Sequence, residues 1–167
     1  TLSPSSAASD VYKRQVVIDY EGKTLDKSTN INISDKELVR NILITKVFCY
    51  GFSWFDGEFL EICNQNNRSI DISGWYLTDR PNERVDKQPK IVFPEGSIIE
   101  AGSSLVISSN SSAYKNLFAC YPDFEYNFDI PEVKDMIEKG SVVLNNKADV
   151  IALKDRYNRT IDAIVYG

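Results

Sequence analysis

The chain has 167 residues, with 43% apolar and 26% charged side chains and a formal net charge of −5, a make-up that suits one globular domain with or without a tail. At that length the core needs neither metal nor disulfide, and no stretch approaches the ~20 apolar residues that span a bilayer. Histidine is absent, which excludes Ser-His-Asp and Cys-His catalysis, His-ligated zinc and histidine phosphoryl chemistry.

The first fifteen residues, Thr1 to Gln15, lack a starting Met and an apolar h-region, so they are not a signal peptide. Asp10-Val-Tyr-Lys-Arg-Gln15 resembles the translation of a sequencing adapter. Residues 1–15 are therefore expected to be an artefact, with the true coding sequence starting near Val16 and its own N-terminus missing. Residues 16–39 are polar and read as a linker or the end of a preceding element. Within them Ser34 and Glu37 have the spacing of a capping box for a turn or so of helix.

From residue 40 onward, short β-branched and aromatic runs alternate with turn residues. Strands are expected at Ile42–Tyr50, Glu58–Cys63, Ile70–Leu77, Lys90–Phe93, Ser97–Ile99, Ser104–Ser108, Val142–Leu144, Asp149–Lys154 and Thr160–Tyr166. Gly74 interrupts the third run, which suggests a bulge or a close backbone approach. Asn110 or Ser111 can cap a helix over about Ala113–Cys120. Tyr121–Lys139 reads as an acidic, aromatic loop. Helices this few and short cannot cover a parallel sheet, so an all-β antiparallel sandwich or barrel is the expected fold. Three cysteines, Cys49, Cys63 and Cys120, form no CxxC and are expected to be ordinary thiols. Cys49 and Cys63 could face each other only in a register that leaves no room for the strand Glu58–Cys63.

Six pieces in order carry a resemblance: Glu58-Phe-Leu-Glu-Ile-Cys-Asn64, Ile70-Asp-Ile-Ser-Gly-Trp-Tyr-Leu-Thr-Asp79, the two turns Phe93–Gly96 and Ile99–Gly102, Leu105–Ser108, and the closing pair Leu144–Leu153 and Ile161–Tyr166. Over about residues 40–167 the chain resembles the lamin-tail domain family, whose fold is an immunoglobulin-like β-sandwich. The insert Tyr121–Tyr126, Asp135-Met136 before Gly140, and the ending Tyr166-Gly167 resemble the archaeal type of that family. That type accompanies phospholipase D-like or nuclease-like domains in exported or envelope proteins. The resemblance departs at Asn145-Asn-Lys-Ala-Asp149, where the family carries Gly-Asp-Glu, so a different turn is expected.

Several residues invite a role. Trp75 suits the centre of a two-sheet core. Glu61 and Asn64 are expected to fix the turn after their strand through backbone amides, and Gly74 is counted with them as structural. Phe52, Trp54 and Phe55 place aromatics on a loop at one end of the sandwich, where contact residues gather. Asp123 and Glu125 head an acidic stretch, with Asp129, Glu132 and Asp135, that could hold Ca²⁺, although its spacing is not that of an EF-hand loop and it reads rather as a solvated charged loop. No catalytic residue, metal site or cofactor is indicated. Four Asn-x-Ser/Thr triplets begin at Asn32, Asn67, Asn110 and Asn158 and would suit an exported protein. Basic residues are scattered without a face-forming cluster, which disfavours a nucleic-acid partner.

The expectation is a non-catalytic binding or spacer module of a larger, exported or surface protein. Its partner would be a neighbouring domain or a surface or protein ligand. One alternative is an accessory domain of a phospholipase D-like nuclease or hydrolase whose catalytic part lies outside this chain. Another is a filament-tail-like domain that binds nucleic acid or protein.

Overall fold

Alternating inward and outward side chains build the first ladder of the fold. In the computed structural model, which describes residues 11–12, 31–32, 41–49, 57–127, 130–145 and 149–166, β1 (Val11–Tyr12) and β2 (Ile31–Asn32) pair antiparallel with each other. The sequence reading expected no strand in those segments. β3 (Ile42–Phe48) and β4 (Phe59–Asn64) pair antiparallel, with Ile42 opposite Asn64 and Phe48 opposite Phe59. The register shifts between Ile44 and Lys46. The extra residue, Thr45, lets Ile44 and Val47 both reach the core, as a bulge does. In this register Cys63 faces Leu43, and Cys49, Cys63 and Cys120 are all free thiols.

The remaining elements are β5 (Ile70–Asp71), β6 (Tyr76–Thr78), β7 (Lys90–Val92), β8 (Ile98–Ile99), β9 (Ser104–Ser108), α1 (Ser111–Phe118), β10 (Phe124–Glu125), β11 (Lys134–Asp135), β12 (Ile137–Lys139), β13 (Asp149–Lys154) and β14 (Thr160–Tyr166). One five-stranded sheet runs β11-β10-β9-β4-β3 and a second runs β12-β7-β6-β13-β14, while β5 and β8 form a separate two-stranded ladder. The inner faces share one core. Ile42, Leu60, Ile62 and Ile107 from the first sheet pack with Leu77, Ile91, Ile151, Leu153 and Ile164 from the second, all at most 1% exposed. Trp75 belongs to the same core. This is the expected immunoglobulin-like sandwich, with a short helix. A local addition is that β10 pairs parallel with both β9 and β11.

Both flanks of the sandwich are closed. On one, β14 lies along β3, and the Asp162 carboxylate accepts a hydrogen bond from the Ile44 amide at 2.7 Å. On the other, the strap Lys134–Lys139 supplies the edge strand of each sheet, β11 and then β12, with buried Met136 between them. α1 covers the outer face of the first sheet, where the Tyr114 ring meets Phe59 edge-on at 5.2 Å. Asn110 caps the helix, its side chain accepting from the Ala113 amide at 3.0 Å.

Three expected elements differ. The run Ile70–Leu77 is not one interrupted strand. Trp75 N donates to Ile72 O at 3.0 Å and Gly74 takes a φ of +74°. That turn sends β5 to one ladder and β6 to another, so Gly74 supplies the left-handed turn position rather than a bulge. The loop Tyr121–Lys139 contains β10, β11 and β12, strands too short to show alternation in a sequence. Val142–Leu144 is not a strand, for a reason given by its hydrogen bonds.

Candidate functional site

Three consecutive amides, the last two of that segment and the next, are each held by a carboxylate, two of them distant in sequence and one four residues on. Val143 N donates to Asp79 Oδ2 at 3.3 Å, Leu144 N to Glu58 Oε2 at 3.2 Å, and Asn145 N to Asp149 Oδ2 at 3.1 Å. Side chains therefore take the place of a ladder partner. Crowding three acids has an electrostatic consequence. Burial pushes the Glu58 carboxyl up to about 7, with the Leu144 amide pulling down and the Asp149 charge pushing up. Burial likewise raises Asp79. The Tyr166 phenol is also raised by burial, with Cys49, Asp149 and Glu58 adding to it.

The outer face of the second sheet is built differently. Lys90 of β7 lies directly opposite Lys139 of β12. Its ammonium stands 4.5 Å from the centroid of the Tyr76 ring, within cation–π range. Burial and the charge of Lys139 lower the Lys90 pKa. Tyr76 is itself fixed, its hydroxyl lying between Gln88 Oε1 and Asn158 Oδ1. Gln88 Nε2 donates to Pro81 O at 3.0 Å and to Glu83 O at 2.7 Å, and Lys154 Nζ donates to Pro81 O at 2.9 Å. These bonds pin the 79–89 connection to the sheet.

A cleft of about 670 Å³ opens beside this connection, lined among others by Arg80, Val85, Asp86, Lys87, Lys90 and Lys139. Among the described residues, no carboxylate stands within ion-pair distance of Arg80, Lys87, Lys90 or Lys139. Asp86 is engaged by Arg84 at 3.2 Å. No basic cluster is visible along the sequence, which leaves room for a patch made by folding, and the fold brings these four cations together. The ladder register brings Lys139 beside residues about fifty positions earlier in the chain.

The residues singled out from sequence fall in several places. Asn64 does fix its turn: its Oδ1 accepts from Asn66 N at 3.0 Å, and its Nδ2 donates to Arg68 O, Ile99 O and Glu100 O at 2.9–3.1 Å. Glu61 does not, because it lies on the outward phase of β4. It accepts from Thr45 Oγ1 at 2.6 Å and pairs with Lys46 Nζ at 2.7 Å, pinning the bulge of β3 instead. Asp123 Oδ2 accepts from Val106 N at 2.8 Å. Glu125 is fully buried and accepts from Ile130 N at 2.5 Å. Both acids thus hold backbone amides around the parallel addition, and Glu125 has no open face to offer. Phe52, Trp54 and Phe55, like Ser34 and Glu37, lie outside the described residues. Among the described residues no group of three or more Cys, Asp or Glu side chains is placed to hold a metal ion, and no helix is long and apolar enough to cross a membrane.

Strand order, core and closed flanks define a domain of the immunoglobulin-like sandwich class. Within that class residues 36–167 match the Lamin Tail Domain, and the chain belongs to the lamin tail domain family. A solved structure of similar fold is that of a DUF4876 family protein from Bacteroides thetaiotaomicron VPI-5482. It is 16% identical, with a TM-score of 0.50 over 89% of this chain and 55% of that one. The chain therefore spans about half the length of that protein. No curated protein matches the chain.

Proposed function

We propose that this lamin tail domain is a non-catalytic binding or spacer module of a larger protein, working outside the cell or in its envelope. It holds a neighbouring domain or a surface or protein ligand against a rigid sandwich. The observation that carries this reading is the cleft beside Lys90 and Lys139, on a pinned sheet face, whose four cations outnumber its one carboxylate and form no ion pair among the described residues. Concave sites with a few convergent polar groups are where ligands are taken. The finer assignment is to the archaeal type that accompanies a phospholipase D-like or nuclease-like catalytic domain. It is supported by the insert Tyr121–Tyr126, which enters the first sheet as β10 and is part of the motif on which that resemblance stands.

The test is to recover the uninterrupted reading frame at the source locus. A signal peptide upstream and a phospholipase D-like domain downstream are expected. Deleting residues 36–167 from the whole protein should then lower binding to its target while leaving the intrinsic rate on a small soluble substrate unchanged. A frame without a catalytic domain would defeat the accessory-module assignment. A deletion that abolishes turnover of the small substrate would defeat the non-catalytic reading.

A further inference from the structure

We propose that the cleft bounded by Arg80, Lys87, Lys90 and Lys139 is a binding site for a multiply charged phosphate group on a compact molecule. The inference rests on the reading of the chain as a binding module and deepens it by naming the ligand class. Three observations converge. Like charges set directly opposite on an antiparallel ladder destabilise it, yet Lys90 and Lys139 occupy one rung. The cleft gathers four cations with one carboxylate, Asp86, in a chain whose net charge is −5, so the cluster runs against the composition. Lys90 is preorganised, its ammonium held over the locked Tyr76 ring.

Charge and size select the ligand. A monocarboxylate would leave most of these cations unbalanced, whereas a pyrophosphate or phosphomonoester presents several charged oxygens at once. Arg80 adds a planar fork suited to such oxygens, and the lysines act as point charges. A volume of about 670 Å³ fits a small ligand. Val85, 45% exposed at the rim, would meet its apolar part.

The test is titration of the 167-residue chain with pyrophosphate, followed by calorimetry and by thermal melting. Saturable one-to-one binding that weakens with added salt is expected. Lys139→Gln should weaken it about tenfold or more while the free protein melts no lower than the wild type, because a repulsive rung has been relieved. That pairing separates a binding site from a structural lysine. Lys87→Gln is the second variant, at an exposed position outside the strands. Lys115→Gln removes the same charge from α1, on the opposite face, and should leave binding unchanged. Absence of saturable binding by folded wild type overturns the proposal, as does equal affinity in wild type and Lys139→Gln. Binding seen only with oligonucleotides and growing with their length would also overturn it, by making the surface a diffuse polyanion patch. None of these results depends on which domains flank the chain, so failure here leaves the module reading to its own test.

Discussion

Two charged regions of this domain use opposite logic. Around Val143–Asn145 the acids Asp79, Glu58 and Asp149 each take a backbone amide of the same segment. In the cleft, Arg80, Lys87, Lys90 and Lys139 have no ion-pair partner among the described residues. The acids replace a missing ladder partner, so their role is architectural. The cations outnumber the acids around them, with Asp86 in the lining and Asp79 beside Arg80 among the described residues, so the cleft keeps a net positive charge. Charge spent on backbone amides marks construction, and an excess of one sign in a cleft suits a contact.

The largest expected effect is at Glu58. Glu58→Ala removes the acceptor of the Leu144 amide and should cost about 1–3 kcal/mol, the usual penalty for stranding a partly buried donor. Chemical denaturation at pH 5 measures it. If the loss is negligible, the acids are not holding the segment and the contrast fails. Asp79→Ala should cost less, since its bond is longer at 3.3 Å and Val143 is exposed.

A pH dependence follows from the same residue. The folded-state pKa of Glu58 is raised from 4.5 to about 7. Between those values the folded state holds more protons than the unfolded one. The contribution is fully present below about pH 4.5 and is lost as pH rises through about 7. Glu58→Gln keeps an acceptor for Leu144 and should flatten that decline, which stability curves at pH 5 and pH 8 would show. An unchanged slope in the variant would mean that another group titrates there.

The smallest effect sharpens the other side of the contrast. Lys139→Glu turns the repulsive rung into an ion pair and should stabilise the free protein by about 0.2–1 kcal/mol. It should also abolish pyrophosphate binding. Melting curves with and without pyrophosphate read both consequences, and a destabilised variant would mean that Lys139 has a packing role.

How much of this was legible in the sequence depended on element length and on distance along the chain. β3, β4, β9, β13 and β14 announce themselves because five to seven residues suffice to show alternation. The run Val142–Leu144 has strand composition, but two distant acids, Asp79 and Glu58, claim two of its amides, which no local pattern reveals. β10 and β11, at two residues each, carry no period at all. Asn64 was readable as a turn-fixer because its neighbours are turn residues. Glu61 was misassigned because a bulge on the partner strand decides what it faces. The cationic cleft was invisible because its members come from two segments that meet only through the pairing of β7 with β12.

The strap Lys134–Lys139 bears on how copies of this domain coexist at high concentration. A sandwich has four lateral strands, and unpaired ones invite intermolecular zippering. Here two of them, β3 and β14, run along each other, and the other two are two- and three-residue pieces of one strap. The two strap pieces are too short to offer a long flat edge to a neighbour. Short edge strands are one way in which a sheet avoids edge-to-edge pairing, and lengthening the strap would expose a longer template before it altered the core.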